Sequence, residues 1–162
     1  AYEMLRSLVG SEMCIRDSYI GDCVMVVFGA PEKLKNHENQ AVKCSLKMKE
    51  KLKELNQKWD ECETSRYWKN HNIDSITMRI GIHTGSVIAG NLGSQEMLQY
   101  STIGDAVNVA ARLEQANKDF NTELSFSHEI YTALTKELYD QSSVSGEIKL
   151  KGRATPTKVY SI

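Results

Sequence analysis

The chain has 162 residues, 41% apolar and 25% charged, and its acidic and basic side chains nearly cancel at a net charge of −1. That length suits one domain with a core of its own, and the near-neutral balance argues against a dedicated nucleic-acid binder. No apolar run approaches the roughly 20 residues of a membrane-spanning helix, so membrane contact is expected only through parts of a parent protein outside this sequence. Cys14, Cys23, Cys44 and Cys62 fall at no metal-type C-x-x-C spacing. They read as free thiols of a reducing compartment, here the cytoplasm.

Residues 8–18 carry neither a helical nor a strand period. They read instead as the translation of a transposon-end adapter used in sequencing libraries. Residues 1–18 are therefore expected to be non-native and are set aside as a cloning scar would be, which leaves residues 19–162 as the domain. Residues 19–29 read as a turn feeding a Val- and Phe-rich strand that Pro31 ends. From 36 to 59, Val42, Leu46, Met48, Leu52, Leu55 and Trp59 recur every three to four positions, which predicts a long amphipathic helix. Its lysines alternate with Glu38, Glu50 and Glu54, the pattern of a solvated face.

Residues 60–74 are polar and irregular and read as a surface loop. Residues 75–84 form a strand candidate, with 87–89 expected to pair with it, and 96–103 another strand. A helix is predicted over 105–118 with Asp105 as its N-cap. A short strand at 124–126, a helix at 128–136 and strands at 144–150 and 157–161 complete the chain. This mixture predicts an α+β domain whose sheet is largely antiparallel, with helices on one face.

Two Gly-Asp turns draw the eye, Ile20-Gly21-Asp22 and Ile103-Gly104-Asp105. On the helix after the second, Asn108 and Arg112 stand four residues apart and so emerge from one side, one turn above the other. An amide and a guanidinium so stacked can grip a ribose and its neighbouring phosphate, although spacing alone fits a solvated surface pair better, since such pairs are common on helices. Arg79-Ile80-Gly81-Ile82-His83-Thr84-Gly85 lies between the two turns, and Lys151-Gly152-Arg153 follows them. In this order, from Tyr19 to Ile162, these blocks closely resemble the catalytic domain of the class III nucleotidyl cyclases, the adenylyl and guanylyl cyclases.

The resemblance implies a ferredoxin-like βαββαβ core and a reaction in which the ribose 3′-oxygen attacks the α-phosphate and pyrophosphate leaves. It implies two Mg2+ or Mn2+ ions held by carboxylates, one of them Asp22; a lone Gly-Asp turn needs no metal to explain it. Arg112 matches the arginine that meets charge developing on the α-phosphate, and Asn108 the residue that orients the ribose. Arg79 and Lys151 match groups that contact the triphosphate. Ser101 stands at the base-reading position, where a small hydroxyl goes with adenine, so ATP is the expected substrate and cyclic AMP the product. His83 is expected to be structural.

Nothing in the chain matches the family's first metal aspartate or its phosphate turn, which in the family lie on a strand before the Ile20-Gly21-Asp22 turn. The 162 residues by themselves are thus expected to lack the first strand region and to be inactive. The resemblance further implies a homodimer, or a pseudo-heterodimer, with active sites at the interface. A guanylyl cyclase is the nearest alternative. A non-catalytic nucleotide- or partner-binding module of the same fold is another, against which the joint presence of Asp22, Asn108 and Arg112 counts.

Overall fold

The structure is a computed structural model that describes residues 16–20, 23–94, 97–149 and 156–162. Its described elements run β1 (Arg16–Ile20), β2 (Cys23–Val27), α1 (His37–Glu61), α2 (Arg66–Lys69), β3 (Ile80–Ile82), β4 (Ile88–Ser94), β5 (Met97–Ile103), α3 (Asp105–Phe120), β6 (Leu124–Ser127), α4 (His128–Ala133), α5 (Lys136–Gln141), β7 (Ser143–Ile148) and β8 (Thr157–Ser161). This is the mixed α+β class that the sequence predicts. A four-stranded sheet of order β3-β6-β8-β7 forms its centre, with β3 and β6 parallel and the other pairings antiparallel. Two antiparallel ladders, β1 with β2 and β4 with β5, stand beside it.

Helices cover both faces of the central sheet, not one as expected. Neighbouring residues of a strand point to opposite faces. Ile82, Leu124, Phe126 and Tyr160 pack with Ala41 and Val42 of α1, Ile130 of α4 and Leu138 of α5. Val159, next to Tyr160, packs with Val109 and Leu113 of α3 on the reverse side. Gly81 lies under α3 as well: a Cβ there would overlap the Ala110 carbonyl oxygen and the Glu114 nitrogen. All four residues of β6 are accordingly buried, the pattern of a strand covered twice.

Several boundaries move for identifiable reasons, most of them side-chain amides. The predicted strand over 75–84 shrinks to β3 because Asn56 takes the backbone of Ile76, donating to its carbonyl at 2.8 Å and accepting its N–H at 3.0 Å. Of residues 87–89, Ile88 and Ala89 pair with β5 and not with β3, in a register that sets Ile88 opposite Ile103. The helix predicted over 128–136 divides at Leu134 and Thr135, where the buried Asn39 donates to the Ala133 carbonyl at 2.8 Å and accepts the Thr135 N–H at 2.7 Å. The stretch read as an irregular loop over 60–74 is partly helical. It folds back as α2, with Trp68 edge-on to Trp59 at 5.5 Å and Lys69 bridging to Asp60 at 2.7 Å.

Residues 16–18, assigned to the non-native segment, open β1 and pair with Val27, Val26 and Met25. Ladder bonds join backbone groups, so this pairing is indifferent to the origin of the side chains.

Candidate active site

β5 runs into α3 through Gly104, and the fit there is tight. A Cβ on Gly104 would stand 3.0 Å from the Ser86 carbonyl oxygen and 3.1 Å from Val87 Cγ1. Gly104 therefore occupies the cap position and Asp105 is the first helical residue, which corrects the assignment of Asp105 as the N-cap. Its carboxylate still lies in the first turn, where the helix dipole favours negative charge.

Val109, Leu113, Ala116 and Asn117 form the buried side of α3, and Ala111 is exposed. Asn108 and Arg112 are both exposed, one helical turn apart. Ser101 lies on β5 opposite Gly90 and on the same face of the ladder as Ile88 and Ile103. That face is open: a Cβ on Gly90 would meet nothing within 4 Å, and Ile88 and Ile103 are 73% and 60% exposed. Thr102, which points the other way, is buried.

Arg79 immediately precedes β3 and is anchored to α3, its Nε donating to Glu114 Oε1 at 2.8 Å. Glu114 projects about 200° round the helix from Arg112, so Arg79 and the Asn108–Arg112 pair occupy different flanks of α3 in one chain. Asp22 and Lys151 lie outside the described residues. Among the described residues no group of three His, Cys, Asp or Glu side chains is placed to hold a metal ion. The His83 side chain is buried, with Nδ1 at 2.8 Å from Ser127 Oγ.

Two residues that position this site escape a reading of the sequence. Glu114 is 35 positions from Arg79, and no local pattern links them. Asn117 is a buried hub. Its Nδ2 donates to the carbonyls of Ile80 at 2.9 Å and Glu114 at 3.1 Å, and its Oδ1 accepts from Thr122 Oγ1 at 2.7 Å and Ser125 Oγ at 2.8 Å. A signal for it existed, since position 117 continues the buried stripe of Val109, Leu113 and Ala116 with an amide.

An exposed Asn–Arg pair thus stands on a helix that leaves a Gly-Asp turn, beside a sheet covered on both faces. The profile of the adenylate and guanylate cyclase catalytic domain matches residues 1–162, and the chain belongs to that family, whose enzymes are phosphorus-oxygen lyases. It is 33% identical over 142 residues to adenylate cyclase 1 of Rhizobium meliloti, covering 88% of this chain and 20% of that protein. It is 31% identical over 141 residues to the receptor-type guanylate cyclase gcy-28 of Caenorhabditis elegans, covering 87% of this chain and 10% of that protein. The chain thus spans a fifth or less of the length of these two curated relatives.

Among solved structures, the adenylyl cyclase CyaB from P. aeruginosa superposes with a TM-score of 0.70 at 29% identity, covering 98% of this chain and 74% of that one. The guanylyl cyclase Cya2 superposes with a TM-score of 0.72 at 26% identity, covering 98% and 72%. Among the described residues no helix is long and apolar enough to cross a membrane.

Proposed function

We propose that this domain converts ATP to 3′,5′-cyclic AMP and pyrophosphate for intracellular signalling, as a two-fold dimer whose active sites lie between protomers in the cytoplasm. The observation that carries the reading is the exposed Asn108–Arg112 pair, one turn apart on the helix that Ser101's own strand feeds. Arg112 offers a planar, positively charged fork to phosphate oxygens, so it meets charge as it develops on the α-phosphate. Asn108 holds the ribose so that the 3′-oxygen lies in line with the bond that breaks. Arg79 and Lys151 hold the triphosphate, and Ser101 hydrogen-bonds the base edge.

The family's divalent ions, Mg2+ or Mn2+, would supply acidification of the 3′-hydroxyl and charge neutralisation, with Asp22 as one ligand. Two features support a shared site. Arg79, held by Glu114, and Asn108–Arg112 sit on different flanks of α3, as expected if they serve different sites. The apolar pair Ile88 and Ile103 also stands exposed on the face that carries Ser101, as expected of a surface that a second copy covers.

The test uses a chimera in which residues 1–18 are replaced by the corresponding segment of adenylate cyclase 1, since the 162 residues alone match only one metal carboxylate. Incubated with ATP or GTP and Mn2+, it is expected to form cyclic AMP well in excess of cyclic GMP. The reverse preference would establish the guanylate reading, to which the similarity to the receptor-type guanylate cyclase lends weight. Neither product, with nucleotide still bound, would make the domain a regulatory module.

A further inference from the structure

We infer that Glu114 is a positioning residue for nucleotide binding, one that fixes the Arg79 guanidinium so that its two terminal nitrogens face the triphosphate. The inference rests on the reading of Arg79 as a triphosphate contact and adds to it a residue that sequence alone does not suggest.

Three observations carry it. The contact is made through Nε, which donates to Glu114 Oε1 at 2.8 Å. An arginine has five N–H donors in a rigid plane, so a carboxylate engaged at Nε sets the orientation of that plane and leaves the outer Nη edge for phosphate oxygens. Secondly, Glu114 is itself held. Its backbone nitrogen lies against Gly81, where a Cβ would overlap it, and its carbonyl accepts from the buried Asn117 amide at 3.1 Å. Gly81 is two residues from Arg79, so the same close approach of α3 to β3 that needs a glycine brings the carboxylate to the guanidinium. Thirdly, Arg79 is 47% exposed. Its side chain would otherwise sample many rotamers, and ordering it on binding would cost affinity.

Calorimetric titration of the 162-residue chain with inorganic tripolyphosphate in magnesium buffer tests this, because the probe reads phosphate contacts without base or turnover. Arg79→Ala is expected to weaken binding about tenfold and Glu114→Ala about fivefold. Glu114→Gln, which keeps an acceptor for Nε–H, is expected to stay within about twofold. The double variant Arg79→Ala/Glu114→Ala should bind no more weakly than Arg79→Ala alone, a non-additivity that general destabilisation of α3 would not give. Should Glu114→Ala fail to fold, Glu114→Leu keeps the stem against β3 and carries the same expectation.

If Arg79→Ala weakens binding while Glu114→Ala and Glu114→Leu, which lose the acceptor for Nε–H, bind as well as the parent or more tightly, the positioning role is overturned and the reading of Arg79 stands. If Arg79→Ala changes nothing, or the parent does not bind tripolyphosphate, the reading of Arg79 falls and this inference falls with it.

Discussion

Gly81 supports the α3 backbone directly: an added Cβ would occupy the space of the Ala110 carbonyl oxygen. Because the obstacle is helix backbone, no rotamer change relieves it. Gly81→Ala would gain up to about 1 kcal/mol by restricting the unfolded chain, but overpacking against backbone costs about 3 kcal/mol. A net loss of about 2 kcal/mol is expected, read as a lower urea midpoint at unchanged slope. Cyclase activity of the chimera should fall as well, since α3 carries Asn108 and Arg112.

Asn117 offers a test of the other contact that seats α3. Asn117→Ala removes the acceptor that Ser125 and Thr122 share, leaving those hydroxyls only each other at 3.1 Å, and leaves the Ile80 carbonyl without this donor. Buried polar groups deprived of partners lose more than the bonds are worth in water, so about 3 kcal/mol of destabilisation is expected. With Ser125→Ala added, the further loss should be well below that of Ser125→Ala in the parent, because the two share a bond. A double-mutant cycle by urea unfolding measures this coupling.

How much was legible in the sequence follows from how local each cause is. The start of α3 and the end of β5 were readable because a 3.6-residue stripe and a Gly-Asp turn each sit within a few positions. Asn39, Asn56 and Asn117 decide where α4 ends, where β3 starts and how α3 is seated, and they act across 94–96, 20 and 37 positions. A side-chain amide that replaces a backbone partner leaves no period to read. The site divides in the same way. Ser101, Asn108 and Arg112 share one strand-turn-helix and could be placed together, whereas the bond between Arg79 and Glu114 exists only once α3 lies on β3.

The aromatic layer over β8 titrates in a defined direction. Tyr131 stacks on Tyr160 at 3.9 Å and on Tyr139 at 4.5 Å. Its hydroxyl is pushed up to about 12, first by the hydrogen bond with Tyr139 and then by desolvation. A raised phenol favours the neutral form in the folded state, so this stabilisation is complete below the ordinary tyrosine value of about 10. It is lost as pH climbs from there towards 12. Phenolate absorbance should therefore show one late-titrating tyrosine, and Tyr139→Phe should bring it back towards the ordinary range. An unchanged titration in Tyr139→Phe would remove the bond as the cause.

The shared site makes its own prediction in the chimera that carries the upstream segment. Arg112→Ala should lower kcat by roughly two orders of magnitude while leaving nucleotide affinity nearly unchanged, because its charge is matched to the transition state. Asp22→Ala should instead abolish metal-dependent turnover. If one protomer gives Asp22 and its partner gives Asn108 and Arg112, each mixed dimer of the two dead variants holds one site with both residues intact. Random pairing makes about half of the dimers mixed, each with one working site of two, so activity should recover to about a quarter of the parent value. Recovery at that level after mixing requires a site built across the two-fold axis. A mixture as inactive as either variant alone, with mixed dimers shown to form by mass spectrometry, would put all three residues in one chain's site, and the different flanks that Arg79 and Arg112 occupy on α3 would then need another explanation.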